Sequence, residues 1–273
     1  VPLRATSTTF RTFDGLQLAG TLVAPDVETD QALVLIHGGG VTREEGGFFR
    51  RLAEGVAEAG VASLRFDLRG HGESEGRQED LTLSAILNDI QAAIAHVRNE
   101  ISATSVSLLG VSFAGGICGY FTAKRPELVD RLVLGNPLLN YKKRFIDDKP
   151  YWHDDQINEE TGKELAEQGF VAHSPTFKLG RALLNEVFWL QPHTVLGEIK
   201  TPTLIIHGTK DTFIPVESSR TAVRELRCEH QLVEIKGAQH GFAVHDDPTY
   251  ANPQSQEWQA FVIRTVAEWL TTA

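Results

Sequence analysis

The stretch Ser105-Val-Ser-Leu-Leu-Gly110-Val-Ser112-Phe-Ala-Gly-Gly116 decides the fold. Its first five residues read as a strand buried on both faces, and a helical pattern takes over beyond the glycines. A serine at such a junction sits on a sharp, strained turn that only small neighbours permit. The turn lifts the Ser112 hydroxyl off the carboxyl end of the sheet and aims the next helix's N-terminal amides at it, where they favour developing negative charge. Position 114 is alanine where the usual pattern has glycine. The added methyl is one the turn is expected to tolerate.

The same strand-to-helix rhythm extends outward from this point. Upstream, Ala32-Leu-Val-Leu-Ile36 is a strand that stops at His37-Gly-Gly-Gly40, and Phe48 to Ala59 follows with helical spacing. Val61 to Phe66 is a second strand, ending in Asp67-Leu-Arg-Gly-His-Gly72. Leu83, Ile86, Leu87, Ile90, Ile94 and Val97 then mark one helix face at steps of three and four. Downstream, Arg131–Leu134, Thr203–Ile206 and Gln231–Ile235 are three more strands. This alternation predicts the α/β class, with a mainly parallel sheet and helices on both faces. Thr8–Phe13 and Leu16–Leu22, around Gly15, predict a hairpin at an antiparallel edge.

Between 138 and 196 the rhythm breaks. Acidic pairs, the run Lys142-Lys-Arg144 and helix-like patches near 159–168 and 180–190 stand where the next strand should be. The reading is an inserted helical cap at 138–196, with the core formed by 1–137 and 197–273.

Composition bounds the function. The chain has 273 residues, 41% hydrophobic and 23% charged, which excludes a disordered or collagen-like chain. Its net charge of −10 argues against a nucleic-acid partner. Cys118 and Cys228 are too few for a disulfide framework and read as buried thiols of a reduced compartment. No run approaches the ~18 apolar residues of a membrane span. The opening Val1-Pro-Leu-Arg-Ala-Thr6 has no signal-peptide pattern. A cytoplasmic protein is therefore expected, with a removed leader and a homodimer both left open.

A serine hydroxyl becomes a nucleophile when a base takes its proton and an acid orients that base. Thr203-Leu-Ile-Ile-His-Gly-Thr-Lys-Asp211 puts an aspartate just beyond one strand, and Gln231 to His240 puts a histidine just beyond the next. Catalytic groups collect at the carboxyl ends of such strands, so Ser112, Asp211 and His240 are expected to converge. His240 and His245 have no paired Cys or Glu nearby, which disfavours a metal site. Neither glycine-rich turn spells a dinucleotide or phosphate loop, so no cofactor is expected. Asp67, His37 and His71 read as turn and loop supports.

His37-Gly-Gly-Gly40, Asp67-Leu-Arg-Gly-His-Gly-Glu-Ser74, the turn at Ser112, Gly208-Thr-Lys-Asp211 and His240-Gly-Phe242 together resemble the α/β-hydrolase superfamily. The layout is similar to serine esterases of the feruloyl and cinnamoyl type, with a lid after the sixth strand. The resemblance implies Ser112 as nucleophile, His240 as base and Asp211 as acid. It implies an oxyanion hole from the backbone amides of Gly39 and Phe113. The expected activity is hydrolysis of a carboxylic ester of a small acyl or aryl substrate through an acyl-serine. Thioester cleavage, amide hydrolysis or elimination chemistry on the same residues are the alternatives, and a non-catalytic ligand receptor is a remote one. Within the insertion, aromatic residues glue the cap or line an apolar pocket. Tyr141, Phe145, Trp152, Phe188 and Trp189 are the pocket candidates, and Lys142, Lys143 and Arg144 read as a solvated face that could instead meet a carboxylate.

Overall fold

A computed structural model describes residues 3–272; Val1 and Pro2 of the opening segment lie outside the described residues. Strands β1 (Leu3–Arg11) and β2 (Gln17–Pro25) form the antiparallel hairpin. They are followed by β3 (Gln31–Ile36), helix α1 (Phe48–Glu58), β4 (Ala62–Phe66), α2 (Leu83–Ile101), β5 (Ser105–Val111), α3 (Phe113–Lys124) and β6 (Leu132–Gly135). The insertion contributes β7 (Trp152–His153), β8 (Gln156–Ile157), α4 (Glu159–Gln168), β9 (Phe170–Ser174), β10 (Phe177–Gly180) and α5 (Arg181–Glu186). The chain then completes the sheet with β11 (Thr203–Gly208), α6 (Glu217–Glu225), β12 (His230–Ile235) and α7 (Pro253–Thr271).

Eight strands pair in the order β1-β2-β4-β3-β5-β6-β11-β12. The six from β4 to β12 run parallel, and β2 joins β4 antiparallel. This is the α/β-hydrolase fold. The strands read as apolar because both sheet faces are covered. Ala32, Val34 and Ile36 of β3 enter the cluster beneath α2 and α3, while Leu33 and Leu35 enter the cluster beneath α1 and α7. Each fully buried Leu or Ile contributes about 1.5–3 kcal/mol relative to leaving it exposed.

Register brings the chemistry to one edge. Val111 stands beside Gly135, Gly135 beside Ile206, and Gly208 beside Ile235, so β5, β6, β11 and β12 end together. Three of the loops leaving that edge carry Ser112, Asp211 and His240.

The insertion departs from the helical cap that its sequence predicts. It holds two short antiparallel pairs, β7–β8 and β9–β10, beside the two helices. Phe170-Val-Ala-His-Ser174 and Phe177-Lys-Leu-Gly180 flank the turn at Pro175-Thr176, and strands this short leave little period-two signal. Nor does the insertion form a core of its own. Tyr141, Phe145, Leu165, Val171, Phe177 and Leu183 belong to the same apolar cluster as α2 and α3. Glu186 of α5 accepts hydrogen bonds from the Leu83 and Ser84 amides at 2.5 and 3.0 Å. Its carboxylate thus caps the N-terminus of α2, where backbone donors lack helical partners.

Candidate active site

The turn at Ser112 forms in strained backbone. Ser112 has φ 51° and ψ −122°, between the last residue of β5 and the first of α3. Few non-glycine residues occupy that region, and it survives only where the surroundings over-determine it. Here the Ser112 amide donates to the Gly135 carbonyl, and its own carbonyl accepts from Gly115 and Leu138 at 3.0 and 2.9 Å. A side chain on Gly110 would begin 2.5 Å from the Cys118 sulfur, so the helix can tuck over the strand only with glycine there. Ala114 is fully buried in the first turn of α3, and the turn forms around its methyl.

Ser112, His240 and Asp211 meet. The Ser112 hydroxyl lies 3.0 Å from His240 Nε2, and His240 Nδ1 lies 2.7 Å from Asp211 Oδ2. A carboxylate only accepts, so Nδ1 carries the ring proton and Nε2 is the acceptor facing the serine. The other carboxylate oxygen, Asp211 Oδ1, accepts from the Phe213 and Ile214 amides at 2.8 and 2.9 Å. Burial of Asp211 opposes its ionisation, but hydrogen bonds from His207 and His240 override burial and hold the carboxyl well below the usual carboxylate range. Its loop is tied to that of His240. Lys210 donates to the Ala238 carbonyl, and Gly237 donates to Thr209 Oγ1, both at 2.9 Å.

The loop after β3 supplies one free donor and the start of α3 another. The Gly38 amide is taken by Glu45 Oε1 at 2.5 Å, and the Gly40 amide by His71 Nε2 at 3.1 Å. The Gly39 and Phe113 amides make no hydrogen bond among the described residues. His37 braces this loop: Nδ1 donates to the Gly38 carbonyl at 2.7 Å, and Nε2 accepts from the Leu68 amide at 2.9 Å. Burial lowers its pKa to about 3, so it stays neutral. Asp67 accepts from the Arg43 and Glu73 amides, which makes it a turn support.

A cavity of about 360 Å³ opens above Ser112. Gly38, Gly39, Phe113 and His240 line the end beside the serine, while Leu138, Phe145, Phe177, Phe213 and Ile214 give it apolar walls. Of the five aromatics considered for the pocket, only Phe145 lines it. Tyr141 is wholly buried beneath, with its hydroxyl donating to the Phe113 carbonyl at 2.5 Å and accepting from the Ile117 amide at 2.8 Å. Trp152 packs on Phe188 away from the cavity, and Trp189 is 89% exposed. Lys142 and Lys143 pair with acidic side chains at the surface, whereas Arg144 faces into the cavity.

Sequence reasoning counted Phe177 among the insertion's aromatics without choosing it for the pocket, and passed over Glu45, Lys149, His173 and Tyr250, all of which line the cavity. Phe177 sits directly on the loop after β3: a Cβ on Gly39 would fall 2.4 Å from its ring. Glu45 had one usable signal, its place eight residues beyond the strand-ending His37 and next to a Gly-Gly turn. Burial raises its carboxyl pKa, and the Gly38 amide and His240 act in the opposite direction.

With this geometry in view, likeness to known proteins becomes informative. The family model described as serine aminopeptidase, S33, matches residues 27–157 and 156–247. The chain belongs to this family of α/β-hydrolases. Among curated relatives, the monoacylglycerol lipase of Mycolicibacterium smegmatis is 24% identical, with 94% of each chain covered. The monoglyceride lipase homolog of Monkeypox virus is 22% identical over 88% of this chain and 89% of its own. Among solved structures, Est1E from Butyrivibrio proteoclasticus with bound ferulic acid superposes with a TM-score of 0.76 at 22% identity, covering 95% of this chain and 99% of that one. Mouse alpha/beta hydrolase domain-containing protein 10 follows at 0.74 and 16%, covering 97% and 98%. Structural likeness at such identity speaks for the fold alone. No helix among the described residues is long and apolar enough to cross a membrane.

Proposed function

We propose that this α/β-hydrolase is a serine esterase that cleaves a carboxylic ester of a small acyl or aryl substrate. The observation that carries the reading is the continuous Ser112–His240–Asp211 relay, at 3.0 and 2.7 Å, beside two unused backbone amides. His240 Nε2 takes the hydroxyl proton as Ser112 Oγ attacks the ester carbonyl. The Gly39 and Phe113 amides receive the oxyanion, where preorganised donors are worth about 2.7–4 kcal/mol each. His240 then returns the proton to the departing alkoxide, and the alcohol leaves. Water, activated by the same ring, adds to the acyl-serine and releases the acid.

The insertion acts as a lid in this reading, since its Leu138, Phe145 and Phe177 give the cavity beside Ser112 apolar walls. The family description names a serine aminopeptidase and the relatives are named as lipases, and both names denote cleavage of an acyl bond, which supports acyl chemistry at Ser112. An aminopeptidase would need a carboxylate free to meet a substrate ammonium. Glu45, the one carboxylate lining the cavity among the described residues, is committed to the Gly38 amide, which favours esters over peptides.

The test is turnover of 4-nitrophenyl acetate and butyrate, with labelling by a fluorophosphonate. Wild type is expected to hydrolyse the esters and to be labelled at Ser112, and Ser112→Ala to do neither while keeping its thermal transition. Undiminished hydrolysis by Ser112→Ala would remove the assignment.

A further inference from the structure

The cavity has a second polar end that the hydrolytic step does not use. Arg144, Lys149 and His173 line it together, and both cations act on the His173 ring. Arg144 and Lys149 are half-buried, and among the described residues neither has a carboxylate within ion-pairing distance. Their neighbours are committed elsewhere: Asp147 pairs with Lys142, and Asp148 with Lys143. His173 stands edge-on to Phe145 at 5.0 Å and to Phe177 at 6.0 Å, while Phe177 stands edge-on to Phe113 at 5.0 Å. An aromatic wall thus runs from the residue after the serine to the basic group. The buried ring nitrogen His173 Nδ1 has no hydrogen-bond partner.

Two half-buried cations in one cavity, with Asp148 acting on Lys149 only from beyond ion-pairing distance, are costly unless a ligand supplies the charge. Burial lowers the His173 pKa to about 4, with Lys149 and Arg144 adding to the effect, so the neutral ring offers hydrogen bonding and the two cations supply the charge. Glu45 does not neutralise them. Its charge bears on His240.

We infer that Arg144 and Lys149, with His173, form a carboxylate-binding subsite, so that the substrate is an ester bearing a free carboxylate. This rests on the esterase reading and adds the substrate class to it. The scissile ester lies at Ser112, an apolar or aryl spacer lies along Phe177 and Phe145, and the carboxylate ends between Arg144 and Lys149. A guanidinium suits the planar, two-oxygen geometry of such a group, and a partly buried charged hydrogen bond is stronger than an exposed one.

The experiment compares charged and neutral esters in pairs. Mono-4-nitrophenyl glutarate against its terminal amide tests a carboxylate on the acyl side. 3-Acetoxyphenylacetate against its amide tests one on the alcohol side. In wild type, at least one charged ester is expected to exceed its amide by about tenfold in kcat/KM. The ratio should fall towards one in Arg144→Gln/Lys149→Gln and be partly retained in Arg144→Lys. Because each ratio is taken within one preparation, loss of folded protein cancels. A ratio near one for both pairs in wild type, or a preference that survives the double substitution, overturns the subsite. Should no ester be cleaved and no probe attach to Ser112, the esterase reading fails separately. Calorimetric binding of 3-phenylpropionate and its amide to Ser112→Ala then judges the subsite: tighter carboxylate binding, lost in the double substitution, upholds it, and equal binding removes it.

Discussion

The Phe177 ring lies against the backbone of Gly39, so close that a Cβ there would sit 2.4 to 2.8 Å from three ring carbons. A residue of the insertion therefore holds the loop that carries one of the two free amides. Gly39→Ala must push the ring or the loop aside. The expected result is a loss of about 10²-fold in kcat, since misplacing one oxyanion donor costs that order. Hydrolysis of 4-nitrophenyl butyrate checks it, and Gly39→Ala/Phe177→Ala, with room for the methyl, should recover part of the loss.

Asp211→Asn should preserve the loop and cripple the relay. The amide oxygen can still accept from Phe213 and Ile214, but its NH2 facing His240 Nδ1 favours the tautomer with the proton on Nε2. That leaves the serine without a base, and kcat is expected to fall about 10⁴-fold. Steady-state kinetics beside a thermal melt separates this from unfolding.

Tyr141→Phe tests a structural role. The substitution removes the hydroxyl that bridges the Phe113 carbonyl and the Ile117 amide, an i,i+4 pair of α3 that can then close on itself, at a cost of about 1 kcal/mol. Urea unfolding should show that loss. KM for small esters should hold, because Tyr141 does not line the cavity.

Acid should weaken the fold through His37. The buried ring has a pKa of about 3 in the folded protein against 6.5 unperturbed. The unfolded chain therefore binds a proton that the folded one refuses, and stability falls as pH drops from about 6.5 towards 3. One such group contributes about 1.4 kcal/mol per pH unit in that window. His37→Asn should reduce the slope of unfolding free energy against pH by that amount; an unchanged slope would show that His37 takes up no extra proton on unfolding and would overturn the assignment.

Much of this was legible because it is local. The apolar runs of β3, β4, β5 and β11, the glycines around Ser112, and the placing of Asp211 and His240 just past strand ends all follow from residue type and spacing along the chain. Those patterns determined the class of fold, the succession of its core strands along the chain and the identity of the three residues that meet. The insertion was harder to read. Its strands run to only two to five residues, too few to establish a period, and its aromatics look alike whether they glue a core or face a cavity.

Only the tertiary structure could sort them. It sends Tyr141 under α3 and Trp189 to solvent, and turns Phe177 and Arg144 inward. Lys142, Lys143 and Arg144 are neighbours in sequence, yet two find carboxylates at the surface and the third faces the cavity. The physical reason is that side-chain direction in an irregular segment is set by what packs against it from distant parts of the chain. The sequence by itself determined the fold class and the three residues that meet; tertiary packing decided the shape and charge of the cavity above them.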